Sequence, residues 1–464
     1  MREHDIIVLG GGTGNIVASA AADEGHDVAL VERGRLGGTC LNRGCNPSKK
    51  LIHRADVVET VRKANSLGVD ASVDDVAFAD IVDDVTNKIT GAAKAKAERA
   101  RENDTITFYQ AEGRFTGERI IEVNTGTSGE TLTADRIVLA GGSRPLVPDS
   151  IDGTDEVEYL TNAEALRLDE RPDRLVIVGG GYIAVEMAHF FGSMGAEVAI
   201  VGRSDVLVDR EDQDVSNRLT SAYADKHELE LGYEATALAE DGDGVVVTAR
   251  STDGDELEVR GDEVLLATGR RPNTDSWNVE AAGIETNESG FVQTNDYLET
   301  SVEGIWAIGD IADNYMFKHS GDKEAEYVVE NAIRGNRQAV EYPGMAHAIF
   351  GSPQVAGLGL TESEVENGEY EYDIGTFEYD DTALGTAMEA DAGFAKVIVG
   401  AEGDVLGFHI VGPHASMLIH EVSTAVAAGA DAETIAETIH IHPALSEVVQ
   451  GAFRQVRDVA PSGV

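Results

Sequence analysis

The sequence predicts an α/β protein with two Rossmann-like dinucleotide-binding lobes and an α+β C-terminal domain. A strand, a Gly-rich turn, a helix and a second strand open the chain, and the same unit recurs at "RLVIVGGGYIAVEMAHFFGSMGAEVAIVGR". Beyond residue 344, the strand patterns "FAKVIVG" and "VLGFHIVG" precede two helical stretches.

In the first unit the buried strand "DIIVLG" runs into Gly10 and Gly12, with Gly14 beside an Asn at the third fingerprint position, Asn15. Glycine there lets backbone N–H groups approach a pyrophosphate at a helix N-terminus. A helix is expected from Asn15 to Glu24, then a strand "DVALVE" ending at Glu32. That carboxylate falls where it can accept from an adenosine ribose hydroxyl.

The second unit carries Gly179, Gly181 and Ala184, with Tyr182 and Ile183 at the head of its helix. Its second strand ends in "VGRSDVLVDR", with Arg203 and Arg210 in place of an acid. Arginine pairs with a 2′-phosphate that an acid would repel, so this cradle reads as one for NADP. Two cradles in one chain point to a bound flavin dinucleotide, FAD, and a visiting NADPH. Gly113, Ser143 in "IVLAGGSRP", Gly269 in "VLLATGRRPN" and Asp310 in "GIWAIGD" are further residues expected against the cofactors.

Eighty-four acidic residues against 36 basic ones give a formal charge of −48. That balance argues against nucleic acid and anionic membranes as partners. The acids run through the whole chain, which reads as adaptation to molar salt, where the screening length falls to ~3 Å. The opening "MREHDIIVLG" is already a strand, and no apolar run approaches the ~20 residues of a membrane span. A cytoplasmic location is expected.

Only two cysteines occur, Cys40 and Cys45 in "GGTCLNRGCNPSKK". Pro47 suits the first turn of a helix, so Cys45 is expected at a helix start. The helix dipole and the cations Lys49 and Lys50 favour a thiolate there. The pair could close a local disulfide that accepts electrons from a flavin. An inert buried pair or half a zinc site are the other readings, and no other cysteine exists to complete the latter. No metal is expected.

"GGTCLNRGCNPSKKLI" resembles the redox signature of the class I pyridine nucleotide–disulfide oxidoreductases. "GGGYIAVE", "ATGRRPN", "GIWAIGD" and "HIHPALSE" follow in that family's order, so the resemblance spans nearly the whole chain. It implies a glutathione-reductase-like fold whose C-terminal domain is a dimerisation domain. It also implies roles: Cys45 as the thiolate beside the flavin, Cys40 as the interchange thiol, and Lys49 paired with Glu186. His442, oriented by Glu447, would be the acid/base, supplied by the other subunit of a homodimer. An imidazole held by a carboxylate suits the proton transfers of thiol–disulfide exchange. His440 beside His442 gives no reason to expect a metal.

Within the family, the C-terminal vicinal cysteines of mercuric reductases are missing. Ala20 and Ala21 stand where glutathione reductases carry a substrate-binding Arg pair, and Glu326 near where they carry another Arg. "GGGTGN", "YMFKHSGDKEA" and "DDTALGTAMEADAG" are most similar to mycothione reductase and the bis-γ-glutamylcystine reductase of halophilic archaea. The expected activity is therefore NADPH-dependent reduction of a small disulfide, bis-γ-glutamylcystine. An NAD-linked dihydrolipoamide dehydrogenase and a non-catalytic flavin-binding redox sensor stay open. Lys318, Lys323 and His319 are candidate cations for a dianionic disulfide. The expected organisation is a flavin lobe (1–148), an NADP lobe (149–270), a central segment returning to the flavin (271–343) and an interface domain (344–464).

Overall fold

The structure, a computed structural model, describes residues 1–124, 129–242 and 244–456. The first lobe is built on β1 (Arg2–Leu9), whose Ile6 to Leu9 are buried because both faces of a parallel strand are covered. α1 (Gly14–Asp23) crosses over to β2 (Val28–Val31), and β3 (Ile106–Tyr109) pairs outside it. β4 (Glu112–Gly117) and β5 (Ile120–Asn124) run antiparallel and lead to β6 (Gly129–Leu139), which returns beside β1. Strand Ile305–Ala307 pairs in parallel with β6, so the chain re-enters this sheet after leaving it. Residues 125–128, between β5 and β6, lie outside the described residues.

Between β2 and β3 the chain forms α2 (Gly38–Arg43), α3 (Cys45–Lys63) and α4 (Phe78–Glu102). The acidic stretch "FADIVDDVTNKITGAAKAKAERARE" is α4 throughout. Its buried Ala93, Ala97 and Ala100 are small enough to seat it closely on the lobe.

The second lobe carries four parallel strands in the order Glu228–Leu231, Glu197–Gly202, Arg174–Val178 and Glu263–Leu266. Helix Tyr182–Met194 joins two of them, and a three-stranded antiparallel sheet packs nearby. A ribbon of Ser143–Pro145 against Arg270–Pro272 lies where the chain passes between lobes. The C-terminal part is a five-stranded antiparallel sheet with helices Ala415–Ala427, Ala432–Glu437 and Ser446–Val456, three where two stretches were expected. One apolar cluster joins these parts: Leu51 of α3, Phe78 of α4, Phe190 and Phe191 of the second lobe, and Ile349 and Phe394 of the C-terminal sheet. That shared core fixes α3 between the lobes. Among the described residues, no helix is long and apolar enough to cross a membrane.

Candidate redox and dinucleotide site

A cavity of about 2050 Å³ runs through the molecule and is lined by both Gly-rich turns, both cysteines and the ribbon between the lobes. The two turns are built alike. Gly10 N donates to Val31 O at 2.8 Å, and Gly179 N donates to Val201 O at 2.8 Å. Gly10 has φ +103°, and a Cβ there would sit 2.1 Å from Ala140 O. Gly179 has φ +120°, with its would-be Cβ 2.4 Å from Ala267 O. Both positions require glycine for backbone conformation and for close approach to the neighbouring strand.

Gly12 and Gly38 face each other; a Cβ on Gly38 would come within 2.7 Å of Gly12 Cα. Thr39, Gly113, Ile183 and Gly269 also line the cavity. Glu32 spends its carboxylate on the turn, accepting from Gly11 N at 2.9 Å and Gly34 N at 2.8 Å, while still lining the cavity.

Two of the expected cofactor residues do not line the cavity. Gly14 does not line the cavity; a Cβ there would lie 2.8 Å from Val8 Cγ1 and from Ala140 Cβ. It gives the close helix–strand packing that the third fingerprint glycine gives, one residue earlier than Asn15, and α1 begins there. Ser143 is likewise buried outside the lining, its Oγ donating to Asp310 Oδ2 at 2.5 Å and accepting from Arg270 Nε at 2.7 Å. Asp310 itself lines the cavity, so Ser143 holds that carboxylate from behind. Arg270 was not singled out by sequence reasoning, although it stands in the quoted "ATGRRPN". Burial pushes its guanidinium pKa down while Asp310 opposes, and its charge reaches Cys45.

Cys45 is the first residue of α3, and Cys40 sits within α2, which the sequence did not predict as a helix. Asn42 holds the intervening turn, its Nδ2 donating to Arg35 O and Gly38 O at 3.0 Å each. Both cysteines are free thiols here. A hydrogen bond from Cys40 lowers the Cys45 pKa to about 6; burial opposes this and Lys49 adds to it. The same bond, with burial, pushes Cys40 well up. The dithiol is thus asymmetric, with the thiolate at the helix N-terminus. Arg43, between the two cysteines, is exposed on the cavity wall, and nothing in the spacing flagged it.

Lys49 Nζ reaches Glu186 Oε1 at 2.5 Å and Oε2 at 2.6 Å and lies 4.6 Å from the Phe350 ring centroid. One helical turn before Glu186, Tyr182 Oη donates to Glu211, and His347 Nε2 lies 2.9 Å from both oxygens of that buried carboxylate. The Tyr182 ring stacks on His347, with centroids 5.9 Å apart. Burial and the Glu211 carboxylate push the tyrosine pKa up, so its hydroxyl stays protonated.

Arg203 and Arg210 both line the second cradle and make no ion pair among the described residues. They differ in surroundings. The charge of Arg210 acts on Tyr182 and Asp313, lowering the pKa of each against the rise from burial. Asp209 accepts at 2.5 Å from Oγ of Ser204, the residue next in sequence to Arg203.

His442 Nδ1 and Glu447 Oε1 are 2.9 Å apart, and Glu447 Oε2 accepts from Ala444 N at 3.0 Å. Neither residue lines the cavity that holds Cys40. The exposed Ile439 and Ile441 flank this segment. His440 has both nitrogens engaged, with Thr438 O and Glu421. Among the candidate cations, Lys318 pairs with Asp322 and acts on Cys40, Lys323 pairs with Glu326, and His319 Nε2 meets Ala346 O at 2.8 Å.

Two dinucleotide cradles opening on a shared cavity, with a dithiol between them, define a flavin-linked dithiol protein. The chain belongs to the pyridine nucleotide–disulphide oxidoreductase family: the family model matches residues 4–334, and the family's dimerisation domain matches residues 345–453. It is 35% identical over 457 residues to dihydrolipoyl dehydrogenase of Halobacterium salinarum, covering 97% of this chain and 95% of that protein. It is 34% identical over 469 residues to mycothione reductase of Mycobacterium tuberculosis, covering 98% and 100%. The fold is similar to that of the HOCl-induced flavoprotein disulfide reductase RclA from Escherichia coli, with a TM-score of 0.87, 23% identity and coverage of 98% and 100%. The family binds FAD and a pyridine nucleotide, and its dimerisation domain supports a homodimer. The residues here fit both cofactors: two glycine turns that exclude a Cβ, a cavity large enough for two dinucleotides, and Asp310 facing in.

Proposed function

We propose that this protein is an NADPH-dependent disulfide reductase of a low-molecular-weight thiol, with bis-γ-glutamylcystine as substrate. The observation that carries the reductase reading is the asymmetric pair, Cys40 donating to a Cys45 thiolate at the head of α3. Gly10, Gly12, Gly38, Thr39, Gly113 and Asp310 would hold the FAD. Gly179, Gly181, Tyr182, Ile183, Gly269 and Arg203 would hold the nicotinamide dinucleotide. When bound, the flavin relays the electron pair of the nicotinamide hydride to the Cys40–Cys45 disulfide.

The protein's residues do the rest. His442 of the partner subunit takes the Cys40 proton as Cys40 Sγ attacks one substrate sulfur; the substrate S–S bond breaks and a mixed disulfide forms. His442 of the partner subunit protonates the departing thiolate, so the first thiol leaves neutral. Cys45 thiolate then attacks Cys40 Sγ, releasing the second thiol and re-forming the Cys40–Cys45 disulfide. Lys49, held by Glu186, stabilises the Cys45 thiolate between these steps. Glu447 positions the imidazole through Nδ1, leaving Nε2 for the proton. Molar salt screens the approach of an anionic disulfide to a chain of charge −48.

The second reading is an NAD-linked dihydrolipoamide dehydrogenase, favoured by the identity to the Halobacterium enzyme of that name and by Asp209 bonded to Ser204, next in sequence to Arg203. Turnover in molar KCl with NADPH or NADH, against bis-γ-glutamylcystine, glutathione disulfide and lipoamide, separates them. Fast NADPH oxidation with bis-γ-glutamylcystine supports the first reading. A preference for NADH with lipoamide overturns it.

A further inference from the structure

Tyr182, the first residue of helix Tyr182–Met194, carries its ring from the second glycine turn into the shared cavity. The ring lies near-parallel to two others that come from different parts of the chain. Phe317, on the segment returning to the first lobe, is 6.2 Å away between centroids, at 24°. His347, on strand Ala346–Ile349 of the C-terminal sheet, is 5.9 Å away at 11°, and Phe317 and His347 are 5.5 Å apart. All three rings line the cavity. Along its helix, Tyr182 stands between the glycine turn and Glu186, which reaches the redox helix through Lys49. A nicotinamide held by that turn and reaching towards the dithiol therefore meets this ring first.

Glu211 sits behind this cluster, buried and off the cavity wall. Tyr182 Oη donates to it, and His347 Nε2 lies 2.9 Å from each of its oxygens. A carboxylate only accepts, so the imidazole carries a proton on Nε2. Burial pushes the Glu211 pKa up, but His347 and Tyr182 outweigh it and hold the group below its usual value, as an anion. Gly357 on strand Gln354–Gly359 makes room for the pair: a Cβ there would lie 3.1 Å from His347 Cε1 and 3.4 Å from Glu211 Oε2. Asp212, next in sequence, already ties this lobe to the C-terminal sheet through Lys396 at 2.9 Å. What Glu211 adds is a hold on a ring in the cavity. The loop that carries Arg203 and Arg210 ends at this carboxylate and is itself tied to the glycine turn, Val208 N donating to Gly180 O at 2.8 Å.

We propose that Glu211 is a latch on Tyr182: it holds the ring in the path of the nicotinamide, and His347 keeps the carboxylate paired when the ring is displaced. The inference rests on reading the second cradle as the nicotinamide site and adds two positioning residues to it. Displacing the ring breaks a hydrogen bond to a buried anion, which opposes binding of the nicotinamide end. His347 limits that cost, because it already donates to both oxygens and the carboxylate is not left bare when the tyrosine has gone. The two residues therefore act in opposite directions. Glu211 weakens the grip of the site on the nicotinamide end, and His347 strengthens it.

The test measures equilibrium binding to the full-length, flavin-loaded protein by calorimetry, without turnover. NADP+ is compared with adenosine 2′,5′-bisphosphate, which lacks the nicotinamide end; NAD+ and ADP form a second pair. The readout is the ratio of Kd for the whole dinucleotide to Kd for its adenosine half. Glu211→Gln, which turns a charged acceptor into a neutral one, should lower this ratio about fivefold. His347→Phe, which keeps a ring but removes the donor, should raise it by a similar factor. General damage to the cradle would change both Kd values together and leave the ratio alone. Tyr182→Phe lacks only the hydroxyl and should also lower the ratio, so it replaces Glu211→Gln if that variant loses its flavin. Ratios within about twofold of wild type in Glu211→Gln and Tyr182→Phe, or a raised ratio in either, overturn the latch. An unmoved ratio in His347→Phe overturns the role given to the imidazole. If the wild type binds neither pair, the nicotinamide reading of the cradle falls and takes the latch with it.

Discussion

The Lys49 ammonium sits 2.5 Å from Glu186 Oε1, an ion pair that ties the head of the redox helix to the helix of the second dinucleotide cradle. Lys49 lies four positions after Cys45, and Glu186 lies one helical turn beyond Tyr182. The thiolate, the cation that stabilises it and the tyrosine of the nicotinamide turn are therefore set on two helices that cannot move independently. Phe350 N also donates to Glu186 Oε1 at 3.2 Å, adding the C-terminal sheet to the same junction.

Loss of this cation should be visible in the thiolate. Because the Cys45 pKa is lowered to about 6, the thiolate form is present above that pH and is lost as the pH falls through it. The long-wavelength thiolate–flavin absorbance of the two-electron-reduced protein should titrate with that midpoint. Lys49→Met should move the midpoint upwards by about one unit; an unmoved midpoint would show that Lys49 does not act on Cys45.

The His442–Glu447 pair lies outside the cavity of its own chain, so its chemistry should require two subunits. His442→Gln should slow disulfide reduction by about 10²–10⁴-fold, with the loss in the step that consumes the disulfide. Mixing Cys40→Ser and His442→Gln subunits by reversible dissociation should restore activity, towards about a quarter of wild type for random pairing. No recovery in verified mixed dimers would place both residues in one subunit's site.

Gly10 and Gly179 should fail separately. Each holds positive φ, and a methyl at either would strike a backbone carbonyl. Gly10→Ala should reduce flavin retention at purification. Gly179→Ala should leave the flavin bound and raise KM for the nicotinamide substrate. Equal flavin loss in both variants would show that the two cradles are not divided in this way.

The NADPH reading makes Arg203 the partner of a 2′-phosphate. Arg203→Ala should lower kcat/KM for NADPH by about tenfold, the worth of one charge-assisted phosphate contact, and change the value for NADH far less. Equal losses with both would remove the argument for a 2′-phosphate site.

Lys396 tests the joint between the second lobe and the C-terminal sheet. It is buried with its ammonium on Asp212 at 2.9 Å, Asp214 at 2.6 Å and Glu362 at 2.6 Å. Lys396→Met would strand the fully buried Asp212 and should cost about 3–5 kcal/mol in denaturant unfolding. Burial pushes the Asp212 carboxyl up, but His409 and Lys396 outweigh it and hold the pKa below its usual value. Its contribution is therefore present above the ordinary carboxylate pKa and is lost as the pH falls through the lowered one. A variant as stable as wild type across this range would show that the cluster is not structural.

The sequence by itself determined the two glycine turns, the helix that starts at Cys45, the acid at Glu32 and the His442–Glu447 spacing. All of these are local: a tight turn, a helix start or a five-residue spacing imposes its chemistry on adjacent residues whatever the rest of the chain does. It did not separate Gly14 and Ser143, which lie off the cavity wall, from residues on it, because a residue next to a turn and one that braces it from behind look alike in one dimension. The tertiary structure decided what lies across the lobes. Glu211 meets both Tyr182 and His347, which is 136 residues away from it; Ser143 and Arg270 are 127 apart, and Lys49 and Glu186 are 137 apart. No spacing rule reaches over such distances, since these contacts form only when three packed layers close on one apolar core and bring side chains of remote segments to the same cavity wall.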